Sequence, residues 1–176
     1  AGLIKGEFSP SGKLPVTFYK NNNPLPDFTD YNMQGKTYRF IEGDALYPFG
    51  YGLSYTKFEY SDAKVIEKTD DNIKVSVNVK NIGDRAGIEK TQIYAQYTDS
   101  RTYTPHFQLC GIKSTNLEAG ETVTVTIDID TYWLKAVLED GQRVTPNGKI
   151  TLYIGGHQPD NRSNELLGYE CEKVEL

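Results

Sequence analysis

Histidine is nearly missing from this chain: His106 and His157 are the only two in 176 residues. Cysteine is as scarce, with Cys110 and Cys171 far apart in sequence. A zinc site built on Cys and His needs closely spaced ligands, and a disulfide scaffold needs dense cysteine. Neither pattern is here. The two cysteines could bridge once or remain two small buried hydrophobes; the second reading is preferred, because free Cys is among the most buried residue types. No apolar run approaches the ~18 residues of a membrane-spanning helix. Basic residues are outnumbered, 19 Lys and Arg against 24 Asp and Glu, leaving a net charge of −5. An acidic chain without a basic stripe lacks the means to hold phosphates, so nucleic acid and anionic membrane are not expected partners. The chain starts at Ala1 without a charged-then-apolar leader, which reads as a leader absent or already removed. The compartment stays open between secreted, periplasmic and cytoplasmic.

What the sequence does hold is aromatic: 13 Tyr, 7 Phe and 1 Trp. Many of these rings fall in the first 56 residues, among Pro10, Pro15, Pro24, Pro26 and Pro48 and frequent glycines. No helix of normal length fits between such breakers. Phe8, Phe18, Tyr19, Phe28, Tyr31, Tyr38, Phe40, Tyr47, Phe49, Tyr51 and Tyr55 make this stretch an irregular strap of large rings. Alone it could not bury enough surface to offset its ordering entropy. It must lie either on another domain or on its own downstream domain, and composition does not choose between them.

From about Lys57 the pattern alternates. Residues 72–80 put Ile73, Val75, Val77 and Val79 on one face, with Lys74, Ser76, Asn78 and Lys80 on the other. Period two means a strand with one buried face. Residues 121–129 repeat it with Val123, Val125, Ile127 and Ile129. Residues 149–154 repeat it with Ile150, Leu152 and Ile154. Weaker strands are predicted at 57–67, 89–97, 108–116 and 165–175. A short hairpin is expected at Glu139-Asp140-Gly141, where Asp-Gly suits a tight turn. About seven strands with regular turns indicate an all-β, immunoglobulin-like or fibronectin-III-like antiparallel sandwich over 57–176. Trp133 falls in a connection and is expected to plug one end of the core.

The residues offer little catalytic chemistry of their own. His106 and His157 are loop residues with no nucleophile pattern nearby, so each reads as a solvated polar group. Asp70-Asp71 reads as a solvated turn. Asp128 and Asp130, two apart on one strand face, form a weak candidate for a calcium site. Asn161-Arg162-Ser163 is an N-x-S sequon, meaningful only in a chain secreted from a eukaryote. No metal or cofactor is expected.

Two segments carry a specific likeness. One is Pro10-Ser11-Gly12-Lys13-Leu14-Pro15-Val16-Thr17-Phe18. The other runs Gly35-Lys36-Thr37-Tyr38-Arg39-Phe40 and then Leu46-Tyr47-Pro48-Phe49-Gly50-Tyr51-Gly52-Leu53-Ser54-Tyr55-Thr56. Together they resemble the C-terminal region of glycoside hydrolase family 3. Residues 1–56 would be the end of that family's α/β sandwich domain plus a linker. Residues 57–176 would be its fibronectin type III-like domain, and Val75 through Gly87, Leu117 through Glu121 and Tyr153-Ile154-Gly155-Gly156 fit it. The stretch from Leu25-Pro26-Asp27-Phe28 to Tyr38-Arg39-Phe40 looks more like the β-xylosidase branch than the β-glucosidase branch, as does Gly155-Gly156-His157-Gln158-Pro159.

The family cleaves terminal β-linked sugars with retention, which takes two carboxyls about 5 Å apart. Its aspartate nucleophile lies in an N-terminal barrel and its acid/base glutamate commonly in the middle domain. Neither motif occurs here. The resemblance therefore implies an accessory, bracing role beside upstream catalytic domains of the same parent, with no catalysis by this chain alone. Tyr31, Tyr38 and Arg39 are candidates to border the sugar, the tyrosines by stacking on a xylo- or gluco-oligosaccharide and the arginine by holding an oxygen. The plainer reading makes these rings glue between domains. Two other functions stay in view. A carbohydrate-binding module would need exposed rings, and Tyr94 and Tyr153 stand on the parity opposite the apolar residues of their strands. A cell-surface sandwich would need only the fold, which does not fix function.

Overall fold

The computed structural model describes residues 1–20, 27–41, 43 and 45–176. The strands run β1 (Phe58–Lys68), β2 (Asn72–Asn81), β3 (Gly87–Thr98), β4 (Gln108–Leu117), β5 (Thr122–Asp130), β6 (Ala136–Val137), β7 (Arg143–Val144), β8 (Lys149–Gly155) and β9 (Glu172–Glu175). One sheet has the order β1-β2-β5 and the other β4-β3-β8-β9, with β6-β7 a separate hairpin. All pairings are antiparallel. This is the sandwich expected from the alternating runs.

The core lies between the two sheets. β2 and β5 pair without a slip from Asn72↔Asp130 to Lys80↔Thr122, so Val75 stands opposite Ile127 and Val77 opposite Val125. These residues, with Ile73, Val79 and Ile129, meet Ile93, Ala95, Leu152 and Ile154 of the other sheet. Each such buried aliphatic side chain stabilises by roughly 1.5–3 kcal/mol. β1 is less regular. Its register shifts between Ser61 and Lys64, where Asp62 takes φ +56° and accepts a hydrogen bond from Asn78 Nδ2 at 2.9 Å. A bulge at an edge strand also discourages pairing with other chains.

Three expectations are corrected. Trp133 does not plug the core: it is 52% exposed, on the 3-10 turn Thr131–Leu134. Asp130 caps that turn by accepting from Tyr132 N at 2.8 Å, which aims Leu134 inward instead, 7% exposed. The strand predicted over 165–175 is confined to β9. Before it stands a helix, Asn161–Leu167. Asp160 accepts from Ser163 N at 2.9 Å at its start, and Gly168 at φ +79° ends it. Those two cap signals outweigh the weak alternation between them. His157 is fully buried, not solvated. The hairpin at Asp140-Gly141 forms as expected, with Gly141 N donating to Leu138 O at 2.9 Å.

The strap is irregular, as its prolines and glycines require. Among the described residues its α-helical part is one turn, α1 (Thr37–Phe40). Residues 14–18 pair with 46–51: Gly50 N donates to Leu14 O at 2.8 Å, Leu14 N to Tyr51 O at 2.8 Å and Phe18 N to Tyr47 O at 2.9 Å. Leu25 and Pro26, part of the β-xylosidase-like stretch, lie outside the described residues.

Cys110 and Cys171 are both free and buried. Burial pushes each thiol up to about 12. Both thiols should be inert to a chromogenic disulfide reagent at neutral pH and both should react once the chain is unfolded in denaturant. A thiol count of zero after unfolding without reductant would contradict this by revealing a disulfide.

Candidate functional site

The outer face of β3 is where the strap and the sandwich meet. β3 is an inner strand of its four-stranded sheet, and its middle is buried on both sides. Glu89, Thr91, Ile93 and Ala95 share one parity, Gln92 and Tyr94 the other, and all six are buried. Tyr94, expected as an exposed ring, is 0% exposed. The strap covers it: Tyr38 meets it edge-on at 6.4 Å, and Phe49 stacks on Tyr38 at 4.1 Å.

The Gln92 carboxamide organises this seam. Its Nε2 donates to Gly50 O of the strap at 3.1 Å and to Gly156 O at 2.8 Å, while its Oε1 accepts from Tyr94 Oη at 2.6 Å. Gly50 has no alternative here. It takes φ +78°, and a Cβ would stand 2.5 Å from both Gln92 Oε1 and Tyr94 Oη. The requirement is thus for a backbone without a side chain pressed against a polar pair.

A second buried polar cluster lies on the core-side parity of β3, where Lys13 of the strap reaches it. Glu89 is 3% exposed; its Oε1 accepts from Tyr60 Oη at 2.7 Å and stands 3.8 Å from Lys13 Nζ of the strap. Burial lowers the Lys13 ammonium from its ordinary value, and Glu89 opposes that shift. Tyr169 stacks near Tyr60 at 6.3 Å and meets His157 edge-on at 4.6 Å. His157 Nδ1 donates to Gln158 O at 2.7 Å, which fixes its tautomer. Burial pushes the Tyr60 and Tyr169 phenols upward. This cluster contains no nucleophile set against a base: the Cys171 thiol lies 3.9 Å from His157 Nδ1, a nitrogen already committed to a carbonyl.

The candidates named from sequence separate. Tyr38 and Arg39 come together on α1, with the Arg39 guanidinium 5.9 Å from the Tyr38 ring centre. Tyr38 is wedged between Phe49 and Tyr94, and its Oη also accepts from Leu109 N at 3.4 Å. Tyr31 stands 87% exposed on the preceding loop, which Asp30 closes by accepting from Asn32 N at 2.9 Å. Tyr153 is half-buried, its Oη donating to Gln96 Oε1 at 2.8 Å. His106 is exposed and ties the strap through its backbone, N donating to Arg39 O at 2.7 Å. Asp128 accepts from Asn72 Nδ2 at 3.1 Å and faces Lys74 at 3.6 Å, while Asp130 is the turn cap; the calcium reading gains no support. Sequence reasoning missed Gln92, Glu89 and Lys13. The available signal was Glu89 and Thr91 on the apolar parity of β3.

Residues 1–55 match the glycosyl hydrolase family 3 C-terminal domain, and residues 89–158 match the fibronectin type III-like domain. The chain belongs to glycosyl hydrolase family 3. It is similar to a xylan 1,4-beta-xylosidase of Xylanibacter ruminicola, 43% identical over 94% of this chain and 19% of that protein. It is also similar to a thermostable beta-glucosidase B of Acetivibrio thermocellus, 38% identical over 74% of this chain and 19% of that protein. Among solved structures, a beta-glucosidase from Streptomyces venezuelae in complex with D-glucose superposes with a TM-score of 0.82 at 30% identity. It covers 99% of this chain and 24% of its own. The chain thus spans about a fifth to a quarter of the length of these relatives and corresponds to the C-terminal region of the family.

Two outcomes test the seam. Gln92→Leu removes three hydrogen bonds and strands buried partners, so it should destabilise by about 2–4 kcal/mol; an unchanged denaturation midpoint would deny the seam its role. His157 titrates below its usual 6.5, chiefly because burial disfavours the cation. As pH falls the unfolded chain therefore takes up the proton first. The stability tied to neutral His157 is complete above pH 6.5 and declines below it. In urea titrations at pH about 8 and about 5.5, His157→Gln should show a smaller pH difference than wild type. Equal differences would contradict the assignment.

Proposed function

We propose that this chain is the bracing C-terminal part of a retaining glycoside hydrolase that removes terminal β-linked sugars, β-xylosyl before β-glucosyl. Upstream domains of the same parent would carry the nucleophile and the acid/base. Residues 1–56 would be the end of the α/β sandwich domain plus linker, and 57–176 the accessory sandwich. The observation that carries this reading is the two-sided strap. One side is locked to β3 by Gln92, Tyr94 and Lys13. The other leaves Ile4 at 89%, Phe28 at 93%, Tyr31 at 87% and Leu53 at 63% exposed. So many large apolar side chains on one segment mark a surface made for a partner. Preference for the xylosyl reading rests on the higher identity and fuller coverage of the xylosidase relative.

In this reading Tyr31 reaches the upstream domains, and Tyr38 with Arg39 hold the strap in shape behind it. The test uses the parent protein. With this chain present, it should hydrolyse p-nitrophenyl β-D-xyloside; the 176-residue chain alone should show no turnover. Tyr31→Ala and Arg39→Ala in the parent should lower the melting temperature and leave KM unchanged. A raised KM at unchanged melting temperature would replace bracing by direct sugar contact.

A further inference from the structure

His157 is a buried titratable group that the bracing role leaves unused. It is 0% exposed, in the turn between β8 and the helix Asn161–Leu167. Its Nδ1 donates to Gln158 O at 2.7 Å, and its Nε2 has no hydrogen-bond partner among the described residues. A neutral ring fits this site. A cationic one does not, because the added Nε2 proton finds no acceptor, and a buried donor left unpaired is most costly when it is charged. The surrounding groups do not relieve that charge. Lys13 of the strap is a second cation and opposes it. Asp160 favours it, yet both Asp160 oxygens are engaged by Ser163, at 2.9 Å from its N and 2.7 Å from its Oγ. Cys171 and Tyr169 present neutral groups, a thiol at 3.9 Å from Nδ1 and a ring edge-on at 4.6 Å. The Glu89 carboxylate is taken by Tyr60 Oη at 2.7 Å and faces Lys13 at 3.8 Å.

The turn that carries His157 is also where two polar anchors of the strap end. Gly156 O accepts from Gln92 Nε2 at 2.8 Å, and the same nitrogen donates to Gly50 O of the strap at 3.1 Å. The Gly156 backbone is pressed against the carboxylate that faces Lys13: a Cβ there would collide with Glu89 Oε1. A shift of residues 156–158 that lets water reach His157 disturbs both anchors. The opposite sheet is not involved, since β2 and β5 pair through their own backbones. We propose that His157 is an acid-triggered release for the strap: its protonation opens residues 156–158 and frees the strap from β3 while the two-sheet core stays folded. This goes beyond the bracing role and holds whatever domain the strap meets. The direction follows from burial. The closed turn holds the imidazole below 6.5, whereas an open turn lets it titrate normally. Below pH 6.5 the open form takes up the proton first. Opening then grows by up to about tenfold per pH unit, until the closed form itself titrates.

The 176-residue chain carries its own reporters. Cys171 Sγ donates to His157 O at 3.4 Å, whereas Cys110 lies in the core between the sheets. The experiment follows modification of both thiols by 4,4′-dithiodipyridine, which attacks thiols in acid as well as in neutral solution, between pH about 8 and about 5. Rates are taken relative to a free thiol at each pH. Cys171 should be protected above pH 6.5 and gain up to about tenfold per pH unit below it, with Cys110 unchanged. Hydrogen exchange across residues 12–18 and 46–52, corrected for the intrinsic effect of pH, should rise in step, and that of β2 and β5 should not. His157→Gln keeps a neutral polar side chain and should flatten both profiles. Should it not fold, the ring-proton NMR titration of His157 in the His106→Gln variant decides, because ring protonation and Cys171 release should follow one curve. The proposal is overturned if Cys171 or the strap amides stay protected as His157 takes up its proton, if Cys110 is released together with Cys171, or if folded His157→Gln keeps the wild-type profile.

Discussion

The Gln92 carboxamide is the interaction on which the rest of the structure depends. It lies on the outer face of an inner strand, where an isolated sandwich would meet water. Here it is buried: its Nε2 donates to Gly50 O of the strap and to Gly156 O just past β8, and its Oε1 accepts from Tyr94 Oη of its own strand. A buried amide left half-paired costs about 1–3 kcal/mol per orphaned group. The strap is therefore not an optional cover. Removing it would take the Gly50 carbonyl from Gln92 and open the Gln92–Tyr94 pair to water, and removing Gln92 would leave the Gly50 carbonyl without its partner. Lys13 and Glu89 add a stricter condition on the core-side parity of β3. A buried ion pair is weak evidence of stability, but breaking one side of it is costly. The pair thus specifies where the strap lies more than it adds to how tightly it holds.

This arrangement explains how a segment with little regular structure can be precise. Paired residues 14–18 and 46–51 satisfy part of the strap's backbone, and rings fill the space between strap and sheet. The opposite side keeps its large apolar residues in solvent. A segment fixed on one side and apolar on the other is suited to transmit position from the sandwich to a neighbouring domain. That is the physical content of a bracing role. It needs no reactive group, and the buried His157, Cys171 and Glu89 are accordingly tied into hydrogen bonds, packing and one ion pair.

The sandwich was legible because Ile73 to Val79 and Val123 to Ile129 alternate strictly, and period two has one structural meaning when one face is buried. The family was legible in the Pro10–Phe18 and Leu46–Thr56 segments. The seam was not. Alternation assigns Tyr94 to the face away from the core and says nothing about a second layer arriving from the strap. Gln92 looks like an ordinary polar position until the strap is laid over it, whereas Glu89 lies on the core parity with Ile93 and Ala95. The helix at 161–167 was hidden for a different reason: Asp160 and Gly168 are clear cap residues, but the apolar pattern between them is too short to announce a period. Trp133 misled because size alone suggested burial, while the Asp130 cap turned Leu134 inward.

The central claim is that the strap is docked on its own sandwich before any other domain meets it. Hydrogen exchange of the isolated chain tests this directly at the amides of Leu14, Phe18 and Gly50. Their protection should approach that of the β2 and β5 core amides, since each is bonded within a segment held by the seam. Exchange at the rate of an unstructured peptide at all three, with the core amides still protected, would mean that the strap is ordered only by a partner, and would contradict the account.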